Sequence, residues 1–298
     1  MTLGLGIDAG GTATRWTLAD AEGAPVSAGI VAPLSGHIFS RAAELRAREV
    51  VAEIAAAVGG TRPRGVVAGV TGLTREAPAV ALIRSVLAGA LGLSEERVVV
   101  AEDMWIAYLS AFAPGEGILV YSGTGSIGYF LGADKEVIRV GGRGSLIDDG
   151  GSAFWIARRA LRHVLRAEEE EPGSGWSTPL GAALARAVGG EGWNEVRTFV
   201  YGGDRGRIGL LARTVAEAAD ADGAARAILD AAGGELARLA AALIRRIGPH
   251  PVAVTGRAAV LHPAVLEAFE REVAPLAPVL VPEIDAALTA ARLAASLP

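Results

Sequence analysis

The 298 residues contain no cysteine. Disulfides, thiolate metal sites, iron–sulfur clusters and cysteine nucleophiles are therefore excluded within the chain. Lysine is nearly absent as well: Lys135 stands alone among the arginines, which reads as a compositional bias. It has one mechanistic consequence, because no Gly-x-x-x-x-Gly-Lys-Ser/Thr loop exists and a Walker-type NTPase is excluded. There is no run of Lys or Arg, and the formal net charge is -5, so no basic face for nucleic acid is expected. No apolar stretch approaches the roughly 18 residues that a membrane helix needs, since the Ala-rich segments carry Arg and Glu at helical spacing. The N-terminus starts a strand almost at once, with no basic segment and apolar core of a signal peptide. The expectation is a soluble, cytoplasmic protein without a membrane partner. The four histidines, His37, His163, His250 and His262, show no metal-ligand spacing, and His163 reads as a surface residue in a helix. No solenoid-type repeat is present.

What is present is apolar residue in quantity, 51% of the chain, with 40 glycines gathered in short loops. That length and composition suit about two domains with sizeable cores. The pattern predicts a strand over 3–7, a turn at Asp8-Ala9-Gly10-Gly11-Thr12, and a second strand over 14–19. A third strand is expected near 26–31, a helix over 41–58, a buried strand over 65–70, a helix over 79–91 and another buried strand over 97–101. Glu102-Asp103 then ends the strand and opens a helix through 111. After Pro114-Gly115-Glu116-Gly117 the pattern restarts: strand 118–122, turn Gly123-Thr124-Gly125-Ser126, strand 127–131, strand 138–142, a polar Gly-rich loop and a helix over 152–166. Helices are predicted over 207–219 and 224–247, a strand over 252–255 running into Gly256-Arg257, a short strand near 279–281 and a final helix over 284–296. The acidic run Glu168 to Glu171 reads as a solvated stretch after a helix. Trp105, Trp155, Trp176 and Trp193 read as packing residues. A hairpin thus opens the chain twice, each time followed by alternating helices and strands, which implies two α/β domains of shared plan. The boundary is placed at 1–115 and 116–298, with the final helix a candidate to return to the N-terminal domain.

Three segments carry chemistry. In Asp8 to Thr14, a two-glycine turn brings backbone N–H groups close to an anion, the Thr12 and Thr14 hydroxyls add donors, and Asp8 at the strand end can hold hydrated Mg²⁺. An ordinary tight hairpin is the competing reading. The turn Ser122-Gly123-Thr124-Gly125-Ser126 repeats the theme, and the two turns can face each other across a cleft, each holding terminal phosphates without a lysine. The third is Thr255-Gly256-Arg257, where a strand reaches a glycine turn; a nucleotide contact and a plain strand-to-helix turn are both open.

The order and spacing of these loops resemble the sugar kinases of the actin/hexokinase superfamily. More closely, they resemble the N-acetylglucosamine kinase and BadF/BadG/BcrA/BcrD ATPase group. The segments that carry the resemblance are 8–14, 100–111, 120–129, 141–156 and 255–260. Asp149 to Trp155, preceded by Gly-Gly-x-Gly, is the most group-specific piece. The resemblance implies two ribonuclease-H-like (actin/hexokinase-type) α/β domains with an interdomain cleft, ATP and Mg²⁺ as cofactors, a small sugar as substrate and a homodimer. It implies that Asp8 positions Mg²⁺ and that Gly10, Gly11 and Thr12 line the phosphates, with Ser122, Gly123, Thr124 and Gly125 as the second contact. Gly256, with Arg257, would lie against the adenosine. Asp103 matches the catalytic aspartate, for which a helix N-cap is the structural alternative. Asp149 matches an acidic residue that binds sugar hydroxyls, and Thr71 and Gly72 line the sugar site, with Thr124 nearby.

The sugar side departs from the group pattern, which reads Gly-Gly-Trp-Gly and then Gly-Asp-Glu-Gly-Ser. Arg143 replaces the Trp, Asp148 the Gly and Gly150 the Glu. The early sugar loop usually has an Asn; here Ser35-Gly36-His37 stands there, and two readings stay open: Arg143 or His37 reaches an anionic substituent, or Arg143 simply faces solvent. The reaction expected is phosphorylation of an amino sugar such as N-acetylglucosamine or glucosamine. N-acetylmuramate, glucose or N-acetylmannosamine are alternatives, as is a non-kinase ATPase or sugar-sensing regulator of the same fold. An iron–sulfur activator of the related type needs cysteines and is excluded. Intact Asp8, Asp103 and both glycine turns argue against a silent sensor.

Overall fold

The computed structural model describes residues 2–74 and 76–297. By internal contact the chain divides into two units, Met1–Phe112 with Ile284–Pro298, and Ala113–Glu283. In the first unit, β1 (Gly4–Ala9), β2 (Thr14–Ala19) and β3 (Pro25–Val31) form an antiparallel meander. Helix α1 (Arg41–Ala57) then leads to β4 (Gly65–Val70), and α2 (Pro78–Leu91) to β5 (Val98–Glu102) and α3 (Asp103–Leu109). The sheet order is β3-β2-β1-β4-β5, and β1, β4 and β5 run parallel. Parallel strands joined by helical crossovers are covered on both faces, and every residue of β4 is buried. Ser40 caps α1 through Ala43 N–H, and Gly92 ends α2 in a left-handed conformation that favours glycine.

The second unit repeats the plan. Strands β6 (Ile118–Ser122), β7 (Ser126–Leu131) and β8 (Val137–Gly141) form the meander. Six helices follow: α4 (Ala153–Glu170), α5 (Pro179–Val188), α6 (Trp193–Tyr201), α7 (Arg205–Gly209), α8 (Leu211–Ala218) and α9 (Gly223–Ile247). Then come β9 (Val252–Thr255), α10 (Pro263–Val273) and β10 (Val279–Leu280). The order β10-β9-β6-β7-β8 is the first sheet's order read in the opposite direction, so one topology occurs twice. The helix α9 anchors this unit; its Leu236, Leu239 and Leu243 are buried, each contributing about 2 kcal/mol.

Three parts of the second unit differ from expectation. Helices α5, α6 and α10 were not anticipated, although Thr178 before Pro179 and His262 before Pro263 each cap a helix whose first position is proline. The stretch expected as one helix over 207–219 is two, because Asp204 caps a separate turn at Arg207 N–H and the chain restarts at Leu211. The acidic run is not merely solvated: α4 continues to Glu170, and the Glu168 carboxylate accepts from Gly173 N (2.8 Å), Gly175 N (2.8 Å) and Trp176 N (3.0 Å). Those bonds hold the carboxyl below its usual range. Trp155 and Trp176 pack in the core, but Trp193 is 57% exposed at the start of the short α6.

The final helix, α11 (Ala286–Ala295), returns to the first unit and lies on β1. Its buried face is alanine: 287, 290, 291 and 294. Strand β1 presents Gly4 and Gly6 to it, and a methyl group on either would collide with α11 backbone at Ala291 or Ala287. Leu5 and Ile7 point the other way and join the core under α1 and α2. The glycine alternation at the N-terminus is thus the footprint of a helix some 280 residues later. Ala290 and Ala294 also pack with Val67 and Ile106, linking α11 to α3.

Candidate functional site

In the first unit the carboxyl ends of β1, β4 and β5 lie side by side: Ala9 is opposite Val70, and Val70 opposite Glu102. That edge is where open α/β sheets present groups to ligands. Asp8 is near the end of β1, Thr71 follows β4, and Asp103 starts α3 after β5. Backbone bonds tie the turns together, from Thr71 N to Ala9 O (2.9 Å) and from Gly36 N to Thr71 O (2.8 Å). Gly69 lets α3 approach β4, since an added Cβ would stand 3.2 Å from Asp103 Cα and 2.8 Å from Ile106 Cδ1.

Asp103 is not the helix cap; Glu102 holds that position and makes no side-chain cap bond. Asp103 Oδ1 accepts Met104 N–H at 2.9 Å, and that amide and the Thr71 hydroxyl both favour the charged form. Burial nonetheless dominates and pushes its pKa up to about 6, with the Asp8 charge adding in the same direction. Asp8 is also raised, by burial first, with Asp285 adding to the effect and Arg15, its cross-strand partner, opposing it. Two carboxylates whose charges oppose ionisation are a donor set that a hydrated Mg²⁺ suits, since that ion takes one or two protein carboxylates and completes its shell with water and phosphate. Among the described residues no group of three or more His, Cys, Asp or Glu side chains is arranged to hold a metal ion. Asp285, which caps α11 at Leu288 N–H, was not singled out from the sequence. Its place in the fold depends on the return of the last helix.

The first glycine turn closes through Gly10 N to Ala13 O at 3.0 Å. Gly11 and Thr12 are exposed, and a methyl on Gly11 would meet no atom within 4 Å, so its open side is available to a ligand. Neither Gly10 nor Gly11 has a positive φ, so backbone strain does not account for them. Thr14 is different from expectation: it is fully buried, and its Oγ1 accepts Leu34 N–H at 3.0 Å, fastening the loop before α1. That loop carries Ser35 and His37. His37 Nδ1 and N–H both meet Ser35 Oγ, at 3.1 and 3.2 Å, and the imidazole lies over Gly72. Gly72, at φ 75°, would place a Cβ 2.6 Å from His37 Cε1. Ser35, His37, Thr71, Gly72 and Asp103 are thus gathered within one unit.

In the second unit the turn after β6 closes through Gly123 N to Gly125 O at 2.9 Å. Ser122, expected to face phosphate, is fully buried and donates its hydroxyl to Gly151 O at 2.8 Å. Ser126 donates likewise to Gly150 O at 2.7 Å, and Ala153 N donates to Gly123 O at 2.9 Å. The two serines therefore fasten the Gly-rich loop before α4 to the glycine turn, leaving Thr124 and its neighbouring amides as the partly exposed groups. Asp149 is 5% exposed, accepts the Ser126 and Gly144 amides, and has Oδ2 without a partner. Burial raises its pKa, and Arg205 opposes the rise. Oδ2 stands 3.0 Å from where a Cβ on residue 125 would be, so Gly125 is the residue that admits this carboxylate. Gly256, at φ 98°, packs on the end of β6, where an added Cβ would strike the Ser122 backbone; Ala258 N donates to Ser122 O at 3.0 Å. Arg257 is exposed beside it, and Arg143 is exposed in the loop before α4.

Compared with known proteins, the chain matches the model of the BadF/BadG/BcrA/BcrD ATPase family over residues 5–291. The chain belongs to that family. Among solved structures, this member of the BadF/BadG/BcrA/BcrD ATPase family is similar to a candidate N-acetylglucosamine kinase from Chromobacterium violaceum, at 25% identity and TM-score 0.81 over 99% of both chains. A ROK family glucokinase from Streptomyces griseus, in complex with glucose and AMPPNP, shares the fold at 19% identity and TM-score 0.62 over 98% of both chains. These neighbours have the two-domain actin-like ATPase fold, as this family member does. An N-acetylmuramic acid/N-acetylglucosamine kinase of Clostridium acetobutylicum is 37% identical over 70 residues, covering 24% of this chain and 23% of that protein. The matched stretch is thus about a quarter of that relative. Among the described residues no helix is long and apolar enough to cross a membrane.

Proposed function

We propose that this chain is an ATP-dependent sugar kinase whose acceptor is an amino sugar such as N-acetylglucosamine or glucosamine. The observation that carries the reading is Asp103, a half-buried carboxyl with a pKa near 6 at the shared edge of three parallel strands, beside Thr71 and close enough to Asp8 to feel its charge. A general base works best when its pKa lies near the operating pH, and phosphoryl transfer asks little else of a protein than positioning and charge stabilisation. Asp103 would accept the proton of the attacking hydroxyl, with the Thr71 hydroxyl orienting its carboxylate. The amides and hydroxyl of Gly10, Gly11 and Thr12 would hold phosphoryl oxygens, as would Thr124 and Gly125 in the second unit. Bound Mg²⁺ would neutralise phosphate charge, held by Asp8. Asp149, with its unpartnered Oδ2, would accept a sugar hydroxyl, and Ser35, His37, Thr71 and Gly72 would line the acceptor side in the first unit. Gly256 and Arg257 would meet the nucleoside.

The names of the relatives support the sugar and the nucleotide: two are N-acetylglucosamine kinases by name, and the glucokinase was solved with glucose and an ATP analogue. N-acetylmuramate stays in view because one relative's name includes it. The test is coupled ADP release with Mg-ATP against N-acetylglucosamine, glucosamine, N-acetylmuramate, glucose and N-acetylmannosamine. Sugar-dependent release with at least one is expected; its absence with all five refutes the reading.

A further inference from the structure

We propose that Arg238 on α9 is a positioning residue for the acceptor site, acting through Asp148 on the loop that carries Asp149. Asp148 binds on both sides of its neighbour. Its Oδ1 accepts Gly150 N–H at 3.1 Å, closing a turn around Asp149, and its Oδ2 accepts Arg238 Nη2 at 3.0 Å. Arg238 Nε is held in turn by Glu235 Oε2 at 3.0 Å, one turn back on the same helix. That same Glu235 oxygen stands 2.6 Å from where a Cβ on residue 150 would be, so the carboxylate covers Gly150 directly.

The loop is thereby fixed from two directions. Ser122 and Ser126 bind its carbonyls at 151 and 150 from the glycine turn, and Arg238 binds Asp148 from the helix. The helix is a rigid base, buried along Leu236, Leu239 and Leu243. Of these fastenings only the ion pair lies at the surface, with Arg238 48% and Asp148 39% exposed. Exposed pairs contribute little to global stability and are screened by salt. Here the pair determines the orientation of one carboxylate rather than the fold, so its loss shows in acceptor binding before it shows in melting.

This inference rests on the sugar-kinase reading for its kinetic arm and stands apart from it in a second arm. Arg238→Gln and Asp148→Asn, the latter keeping an oxygen for Gly150 N–H, are each expected to raise the KM for sugar about two- to fivefold. The KM for ATP, kcat and Tm should stay near wild type, and Arg238→Lys should restore most of the loss. The double variant should be no worse than either single one, because both remove the same contact. In the second arm, amide hydrogen exchange of the 142–152 peptide is expected to speed up in Arg238→Gln at low salt, while 0.5 M NaCl (roughly a 4 Å screening length) brings wild type toward the variant. Unchanged exchange overturns the proposal whether or not any sugar is turned over. Equal rises in both KM values with a lower Tm, or additive singles, overturn it also. A wild type without sugar turnover, but with the exchange difference, refutes the kinase reading and keeps the hold of Arg238 on the Asp148 loop.

Discussion

The Thr71 hydroxyl stands beside the Asp103 carboxylate and favours its charged form, relating the turn after β4 to the first residue of α3. Burial, with the nearby Asp8 charge, outweighs that influence. Asp103 is therefore half protonated near pH 6 and largely ionised, as a base must be, at pH 7. Its neighbours orient it without quenching its basicity.

A pH profile should show this balance. A base must be ionised to accept a proton, so kcat/KM should fall as pH drops through about 6, the folded-state pKa of Asp103. Initial rates from pH 4.5 to 8.5 at low sugar concentration check it. A limb centred near 4 would show that Asp103 is not the titrating group.

Asp103→Asn should lower kcat by about 10²- to 10⁴-fold while leaving ATP binding nearly intact. It should also stabilise the protein at pH 7. A carboxyl whose folded pKa is raised from 3.8 to about 6 binds more protons folded than unfolded between those values, so stability declines as pH rises through that window. The penalty above it corresponds to about 3 kcal/mol at most. The variant should melt a few degrees above wild type at pH 7 and level with it near pH 3.5.

Thr12→Val and Thr14→Val should separate two threonines that look alike in sequence. Thr12 is exposed on the open turn, and its loss should raise the KM for ATP with little change in Tm. Thr14 is buried with Leu34 N–H on its oxygen. Its loss should cost about 1–3 kcal/mol in urea unfolding by leaving that amide unpaired. Equal effects of the two changes on ATP KM would contradict this division.

Gly256→Ala should destabilise the second unit by more than about 1 kcal/mol, since φ 98° disfavours any Cβ and the Ser122 backbone fills the space. Gly11→Ala meets open space and should leave urea stability within about 1 kcal/mol while weakening nucleotide binding. Chemical unfolding of both variants, alongside ATP titration, checks the contrast.

Much of the fold could be read locally. Strands β2, β4, β6 and β9 cover the same residues as the runs that predict them, because a two-residue period or a short apolar run bounded by turn residues is written in consecutive positions. The glycine turns were visible for the same reason, whereas Asp103 was singled out only by the resemblance to a known group. The small helices α5, α6 and α10 were not, since each is short, and two are marked mainly by a cap and a proline.

What the sequence determined by itself was an inventory: which turns carry glycine and hydroxyls, which carboxylates end strands, and that no cysteine or Walker lysine takes part. Tertiary structure decided how each is used. Ser122 and Thr14 became fasteners because the loops they hold come from 29 and 20 residues away. Gly4 and Gly6 became a seat for α11, and Glu235 and Arg238 came to stand over Asp148 and Gly150. A side chain's chemistry is local, whereas its burial and partners are set by residues distant in sequence, and those decide whether a hydroxyl holds the fold or faces a ligand.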